Sequence, residues 1–245
     1  MMDQTRQWNS YIAEALGTFL FLGIGIGVAY SVFGQDWFVV AVAVALAFGL
    51  ALVVMVSAFG AISGAHFNPA VTFGLWVAGK IDPVKAAGYI IAQLIGVVAA
   101  SIVIRYVFPP EIPSSAGVTA LNEAAGIDLV KGIVVEAMVT MLLLTAVFGT
   151  AVDARAPRIG GIAIGLALAA GILFSGNLTG GAVNPARWFG PAVVAGDFSG
   201  ALVYIIGPLL GAGIVALVYR LLMLPEAEAA AATQALVDVP DDDRG

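Results

Sequence analysis

The sequence predicts an all-α membrane protein: six transmembrane helices plus two re-entrant half-helices, arranged as an inverted repeat. Three observations predict it. The 245 residues are 61% hydrophobic and 11% charged, whereas a soluble domain carries about 45–50% apolar and about 25% charged residues. Most of the chain therefore belongs in lipid. Apolar stretches near the ~20 residues that a bilayer requires recur six times, at 11–33, 38–59, 84–107, 129–151, 159–177 and 200–222. Finally, Asn-Pro-Ala occurs twice, at Asn68-Pro69-Ala70 and Asn184-Pro185-Ala186, and each copy leads into an apolar run (71–78 and 188–195) too short to span a bilayer.

Taken in order, residues 1–10 are a cytoplasmic N-terminus. They lack the basic n-region, short apolar core and small-residue cleavage site of a signal peptide, so the first span is expected to remain a helix. Residues 11–107 form a first repeat of three spans, with one half-length segment after the second. Residues 108–128 open with Pro109-Pro110, are rich in small residues and form the longest internal connection. Residues 129–222 form the second repeat. Residues 223–245 read as an alanine-rich cytoplasmic tail that holds six of the sixteen acidic residues, so the net charge of −6 says little about the spans. The thirty glycines are scattered through the spans, where small residues let helices approach closely in lipid.

The halves repeat. Glu14-Ala15 opens the first as Glu136-Ala137 opens the second, and Tyr89-Ile90-Ile91 matches Tyr204-Ile205-Ile206 at the separation of the two motif asparagines, to within one residue. Three spans per half is an odd number, so the second half is inverted in the membrane. Paired broken segments in such halves point to a substrate pathway near the midplane. Basic residues orient the chain, because cytoplasmic loops carry the excess of Lys and Arg. With the N-terminus inside, Arg6, Lys80, Lys85, Arg155, Arg158, Arg220 and Arg244 face the cytoplasm, and only Arg105, Lys131 and Arg187 fall on the outer half. Both termini are thus expected inside.

Proline is tolerated at the first helical position and asparagine is a favoured cap, so each Asn-Pro-Ala reads as the start of a short helix. If two half-helices enter from opposite faces, their N-termini meet, each carrying roughly +0.5 of a charge. That meeting point repels cations, hydronium included, while the Asn68 and Asn184 amides can still donate hydrogen bonds to a neutral molecule. The stretches before the motifs, Gly64-Ala65-His66-Phe67 and Gly180-Gly181-Ala182-Val183, can line a pore with carbonyls. Irregular backbone at membrane depth is tolerable only there or buried in protein. A single Asn-Pro-Ala would read as an ordinary turn before a helix; two at matching places in inverted halves do not.

Gly64-Ala65-His66-Phe67-Asn68-Pro69-Ala70-Val71-Thr72 and Asn184-Pro185-Ala186-Arg187-Trp188-Phe189-Gly190-Pro191 resemble the aquaporin (major intrinsic protein) family, and the resemblance covers residues 8–222. It implies a passive channel for water in a prokaryotic plasma membrane and a homotetramer of independently conducting pores, with no cofactor. It also implies an outer constriction of four residues, which falls by spacing on Phe48, Ile172, Gly181 and Arg187. Strict water channels of the family usually carry histidine where this chain has Ile172. Typical glycerol facilitators carry tryptophan, glycine and phenylalanine at the three non-arginine positions and aspartate directly after the arginine, where this chain has Trp188. Neither pattern fits. The constriction is expected to be wider and more apolar on one wall than a strict water filter, with leakage of ammonia, small neutral gases or glycerol.

An arginine stays charged at any working pH. At a narrow mouth Arg187 would repel cations and donate hydrogen bonds; the alternative is a snorkelling outer-leaflet arginine. Two readings stand for His66, a pH gate and, preferred, a loop histidine that hydrogen-bonds the re-entrant backbone. Glu14 and Glu136 are intramembrane carboxylates, functional by default. A proton relay is one reading; the preferred one is that each accepts N–H bonds from a re-entrant loop, as the family does. Trp188 either covers the outer vestibule or packs against a neighbour.

Two further classes compete with a channel for water and small neutral solutes. An ion- or proton-coupled transporter would need ionisable groups along the pathway, and the clear midplane charges are the two symmetric glutamates. A non-conducting junction protein would have only the 31–37 and 108–128 outer loops as surface. The chain has no cysteine and one histidine, which excludes disulfides, thiolate metal sites and a multi-histidine site within one chain. No basic tract points to nucleic acid, and no nucleophile–base pair or carboxylate dyad points to an enzyme. Gly181 stands where some relatives of the family carry a mercury-reactive cysteine. Water flow through the purified protein is therefore expected to resist mercurials; inhibition that a thiol reverses, measured on proteoliposomes, would contradict this.

Overall fold

The computed structural model describes residues 2–157 and 159–223. Arg158, Arg244 and the acidic tail beyond Met223 lie outside the described residues, as does the side chain of Arg6. Among the described residues eight α-helices follow in order: α1 (Met2–Ser31), α2 (Trp37–Ser63), α3 (Pro69–Val77), α4 (Pro83–Val107), α5 (Leu129–Val147), α6 (Gly160–Thr179), α7 (Pro185–Ala195) and α8 (Ala201–Val218). α5 and α8 run on into wider π turns, Phe148–Val152 and Tyr219–Met223. No strand occurs among the described residues. All but the short α3 and α7 are long and apolar enough to cross a membrane, six in number among the described residues.

Local chemistry accounts for where the helices start. Asp36, Asp82 and Asp128 cap α2, α4 and α5, each accepting a first-turn backbone N–H. Such a cap is worth about 1 kcal/mol. α3 and α7 begin at the motif prolines, with Asn68 and Asn184 as caps, slightly ahead of the apolar runs at 71–78 and 188–195. α2 and α6 stop where glycine permits the left-handed region: Gly64 lies at φ 89° and Gly180 at φ 77°. Both helices outrun the predicted apolar spans, by four residues to Ser63 and two to Thr179, because hydropathy measures contact with lipid and not helicity. For the same reason α1 begins at Met2, well before the apolar run that opens at 11. The 108–128 connection is ordered by two short 3-10 turns, Ser114–Gly117 and Glu123–Ala125.

The packing shows the repeat directly. α1 packs on α2 and α4 as α5 packs on α6 and α8; α4 packs on α7 as α8 packs on α3; and α2 and α6 pack on each other. Exchanging the halves returns the same set of contacts. Glycines set the close approaches. A Cβ on Gly49 of α2 would lie 2.8 Å from the Gly165 carbonyl oxygen, and one on Gly165 of α6 would lie 2.5 Å from that of Gly49. Likewise a Cβ on Gly96 of α4 would run into the Ala15 carbonyl of α1, and one on Gly211 of α8 into the Ala137 carbonyl of α5. Large apolar side chains such as Ile24, Leu50, Ile95, Leu166 and Leu210 point outward and are exposed, as lipid contact requires. The core holds Phe48, Phe67, Tyr89, Phe148 and Tyr204, all nearly fully buried.

The glycine crossings make a stability prediction. Gly211→Ala pushes a methyl into backbone that cannot yield, and overpacking of this kind costs about 1–3 kcal/mol. A clear fall in the thermal unfolding midpoint of the detergent-solubilised protein is expected. A Cβ on Gly60 of α2 would meet nothing within 4 Å, so Gly60→Ala should leave that midpoint unchanged or raise it. Equal midpoints for the two variants would reject the close-contact account.

Candidate functional site

Two non-helical stretches, 64–68 and 180–184, meet each other, the asparagine of each bonding the backbone of the other. Asn68 caps its own helix, its Oδ1 accepting from Ala70 N at 2.8 Å, and its Nδ2 donates across the molecule to the Val183 carbonyl at 3.2 Å. Asn184 mirrors it: Oδ1 accepts from Ala186 N at 2.9 Å and Nδ2 donates to the Phe67 carbonyl at 2.9 Å. Each amide orientation is fixed on both sides, since an amide turned over would set oxygen against oxygen. An asparagine amide has two N–H donors, so one N–H of each remains.

The loops are held in costly conformations. Ala65 (φ 53°), Phe67 (φ 48°) and Val183 (φ 58°) occupy the left-handed region without being glycine, and Gly181, the counterpart of Ala65, lies at φ 60°. Each such residue costs on the order of 1–3 kcal/mol and persists only when its surroundings over-determine it. Two fully buried carboxylates do that here. Glu14 accepts from Ser63 Oγ (2.7 Å), His66 N (2.9 Å), Phe67 N (2.8 Å) and Gln93 Nε2 (2.8 Å). Glu136 accepts from Thr179 Oγ1 (2.6 Å), Ala182 N (3.0 Å) and Val183 N (2.6 Å). Hydrogen bonds to a charged acceptor are roughly twice as strong as neutral ones. Tyr89 and Tyr204 complete the pair, each donating at 2.7 Å to the carbonyl of the last helical residue before a loop, Ser63 and Thr179.

His66 packs edge-on to Tyr89 at 5.0 Å, and its Nδ1 lies 3.1 Å from Thr72 Oγ1. Gln93 also bonds that hydroxyl, at 3.0 Å. The second half has Trp188 where the first has Thr72 and Pro208 where it has Gln93. Trp188 is buried and stacks on Tyr204 with centroids 6.2 Å apart; of the two roles the sequence left open, it packs against a neighbour.

Four residues gather to one side of the asparagines. The Arg187 guanidinium carbon lies 5.4 Å from the centroid of the Phe48 ring, and its Nη1 donates to the Gly117 carbonyl at 2.7 Å. Gly181 stands against Ile172, where a Cβ would lie 3.2 Å from the Ile172 Cα. Ile172, Gly180 and Arg187 share the wall of a cavity of about 340 Å³ with Gln35, Trp37 and Thr119. A second cavity, of about 40 Å³, is lined by Gly64, Ala65, His66 and Asn68 and by apolar residues, among them Phe21, Leu52, Leu143 and Leu168. One water needs ~10–15 Å³ of such volume, so this space fits a short file of waters. Ala182 is buried against Trp188 and Tyr204; its N–H is bound by Glu136.

Sequence reasoning missed Gly117, whose carbonyl meets Arg187, and it missed Gln93, Ser63 and Thr179 beside the carboxylates. Nothing in residue order marks Gly117. The matched Tyr89 and Tyr204 were visible as a repeat, and that match was the available signal for the loop supports.

Comparisons with known proteins agree with this geometry. The family model described as "Major intrinsic protein" matches residues 1–219. The chain is 42% identical over 219 residues to "Aquaporin TIP2-1" of Arabidopsis thaliana, covering 86% of each chain. It is 36% identical to "Lens fiber major intrinsic protein" of Ovis aries, over 89% of this chain and 82% of that one. In fold it is similar to a structure titled "X-ray structure of the aquaglyceroporin from Plasmodium falciparum", with a TM-score of 0.77 at 24% identity, covering 91% of this chain and 99% of that chain. The matched length, the two capped half-helices and the mirrored carboxylates agree: this chain belongs to the major intrinsic protein family.

Proposed function

We propose that this chain is a passive channel that conducts water in single file and excludes protons and ions, with leakage of small neutral solutes such as ammonia, gases or glycerol. The observation that carries this reading is the central crossing, where two helix N-termini face each other and each asparagine keeps one amide N–H. A relative at 42% identity is named an aquaporin, which supports it. The chain acts as a channel and not a catalyst. We place it in the plasma membrane as a homotetramer with both termini cytoplasmic, on the basic-residue asymmetry and the family.

The mechanism follows from donors and acceptors. A water at the crossing meets N–H groups of Asn68 and Asn184, so its oxygen accepts from both and its hydrogens turn toward the carbonyl strips on either side. Waters on the two sides are then oriented oppositely, and a proton cannot hop through the centre. The two helix N-termini, each roughly +0.5 of a charge, and the Arg187 guanidinium oppose cation entry. At the outer constriction Phe48, Ile172, Gly181 and Arg187 set the opening, with one polar wall at Arg187. Neither Ile172 nor Gly181 places a polar side chain opposite it. The carbonyls of Gly64, Ala65 and His66 inside, and those about Gly180 and Ala182 outside, accept from the passing file.

Glu14 and Glu136 serve as loop supports on this reading, not as a proton relay. Their oxygens are occupied by loop N–H groups and neighbouring side chains, and both are fully buried. His66 is tied to Thr72, which favours a structural role over a gate.

Two measurements test the reading. Stopped-flow light scattering of proteoliposomes in an impermeant osmolyte should show shrinkage well above that of empty liposomes; shrinkage no faster would end the water-channel reading. The same vesicles in glycerol should show re-entry faster than empty liposomes; none would mean that Phe48 and Arg187 suffice as a water filter despite Ile172. Arg187→Val should raise proton or cation leak while water flux persists, read with an entrapped pH dye. An unchanged leak would remove Arg187 from the exclusion mechanism.

A further inference from the structure

We propose that a phospholipid with an anionic headgroup binds along a groove between α4 and α7, one acyl chain lying on α4 and its phosphate meeting Arg105; this does not depend on what the pore conducts. The groove has a volume of about 490 Å³ and is formed by α4 from Ile91 to Ile102, with Phe189 of α7 as a wall. Its α4 residues follow the three- and four-residue spacing of a single helix face, and none has a polar side chain. Ile91, Ile95 and Ile102 are each more than half exposed. The helix rises about 16 Å over this stretch, and one leaflet of a ~30 Å hydrocarbon core is about 15 Å deep, so the groove has the length of one acyl chain. Its floor does not yield, because Gly190 seats α7 so closely on α4 that a Cβ would lie 2.8 Å from the Val97 carbonyl oxygen.

The repeat shows what is particular to this groove. By the offset that pairs Tyr89 with Tyr204, Val98 matches Gly213, Ala99 matches Ile214 and Arg105 matches Arg220; by the offset of the two asparagines, Phe189 matches Phe73. In the second half the Phe73 ring lies on α8 at Gly213, where a Cβ would be 3.5 Å from Phe73 Cε1. Val98 has a side chain at the matching seat and denies it to Phe189, and Ala99 leaves open the room that Ile214 fills. The two arginines differ as well. Arg220 Nη1 donates to the Val77 carbonyl at the end of α3, at 2.8 Å. Arg105 makes no such bond to α7: among the described residues its side chain has neither a hydrogen bond nor an ion pair.

That unpaired guanidinium stands where a headgroup would. Arg105 lies three residues beyond Ile102, on the same face and in the last turn of α4. The helix ends at Phe108, ahead of Pro109-Pro110, and Tyr106 is exposed, as aromatic residues are where the hydrocarbon gives way to headgroups. An acyl chain laid along the groove therefore carries its phosphate to Arg105, and a guanidinium can grip a phosphate through two parallel N–H bonds. No acidic side chain lines the groove. A headgroup with net negative charge is held there more tightly than a phosphatidylcholine, whose choline offsets its phosphate.

The experiment titrates delipidated full-length protein in detergent with phosphatidylglycerol or phosphatidylcholine. Native mass spectrometry counts the lipids retained per protomer and weighs the oligomer, and the thermal unfolding midpoint is read in parallel. One phosphatidylglycerol per protomer is expected to bind about tenfold more tightly than phosphatidylcholine, the scale of a hydrogen bond to a charged group, and to raise the midpoint as a ligand of the folded state does. Arg105→Gln should remove both effects. Ala99→Trp, which fills the groove and leaves the arginine in place, should remove them too, whereas Leu210→Trp on the matching face of α8 should leave them intact. Equal retention of the two lipids by the native protein would overturn the proposal. So would phosphatidylglycerol binding that neither Arg105→Gln nor Ala99→Trp weakens, or that Leu210→Trp weakens as much. A change of oligomer mass in these two α4 variants, with the lipid count unchanged, would assign the groove to a second copy of this chain and overturn it as well.

Discussion

Non-helical backbone at membrane depth has no water to satisfy its polar groups, and each group left unpaired costs several kcal/mol. This chain carries such backbone twice, at 64–68 and 180–184, and the rest of the molecule is arranged around satisfying it. Glu14 and Glu136 take the inward N–H groups. The two asparagines take the carbonyls of Phe67 and Val183 across the centre. Tyr89 and Tyr204 take the carbonyls at the helix ends. The carbonyls that remain along the loops can then face a water file.

The same constraint explains why the helices pack as they do. A carboxylate on α1 can reach the first loop, and one on α5 the second, only if those helices lie close behind them. The glycine contacts Gly96–Ala15 and Gly211–Ala137 bring α4 and α8 onto α1 and α5, and those are the helices that carry Tyr89 and Tyr204. The symmetry is not complete. Gln93 and Thr72 extend the network of Glu14 and join it to His66, whereas the second half has Pro208 and Trp188 in those places, and Trp188 joins an apolar cluster around Tyr204. The first half is thus the more polar in its supports, and the second half makes its polar contacts at Arg187 and with the connection.

Much was legible in residue order because the underlying rules are local. Bilayer thickness sets span length, so six helices could be counted. Asn-Pro-Ala is a capping sequence, so the half-helix starts could be placed at Pro69 and Pro185. An odd number of spans per half forces inversion, and the spacing of matched residues pairs Glu14 with Glu136 and Tyr89 with Tyr204. Helix ends were less legible: α2 and α6 continue to Ser63 and Thr179 because they stop at a left-handed glycine, whatever the local hydropathy.

What the sequence determined by itself, then, is the membrane class, the repeat, the inversion and the two capped asparagines, all of which depend on composition, length and neighbouring residues. Only the tertiary structure decided which groups meet across the chain. It chose a stacking role on Tyr204 for Trp188, joined Asn68 to Val183 and Asn184 to Phe67, and brought the Gly117 carbonyl to Arg187. These partners are far apart along the chain, and a backbone carbonyl is the same in every residue. Its position is set by the packing of its neighbours, and that exists only once the helices have closed around the loops.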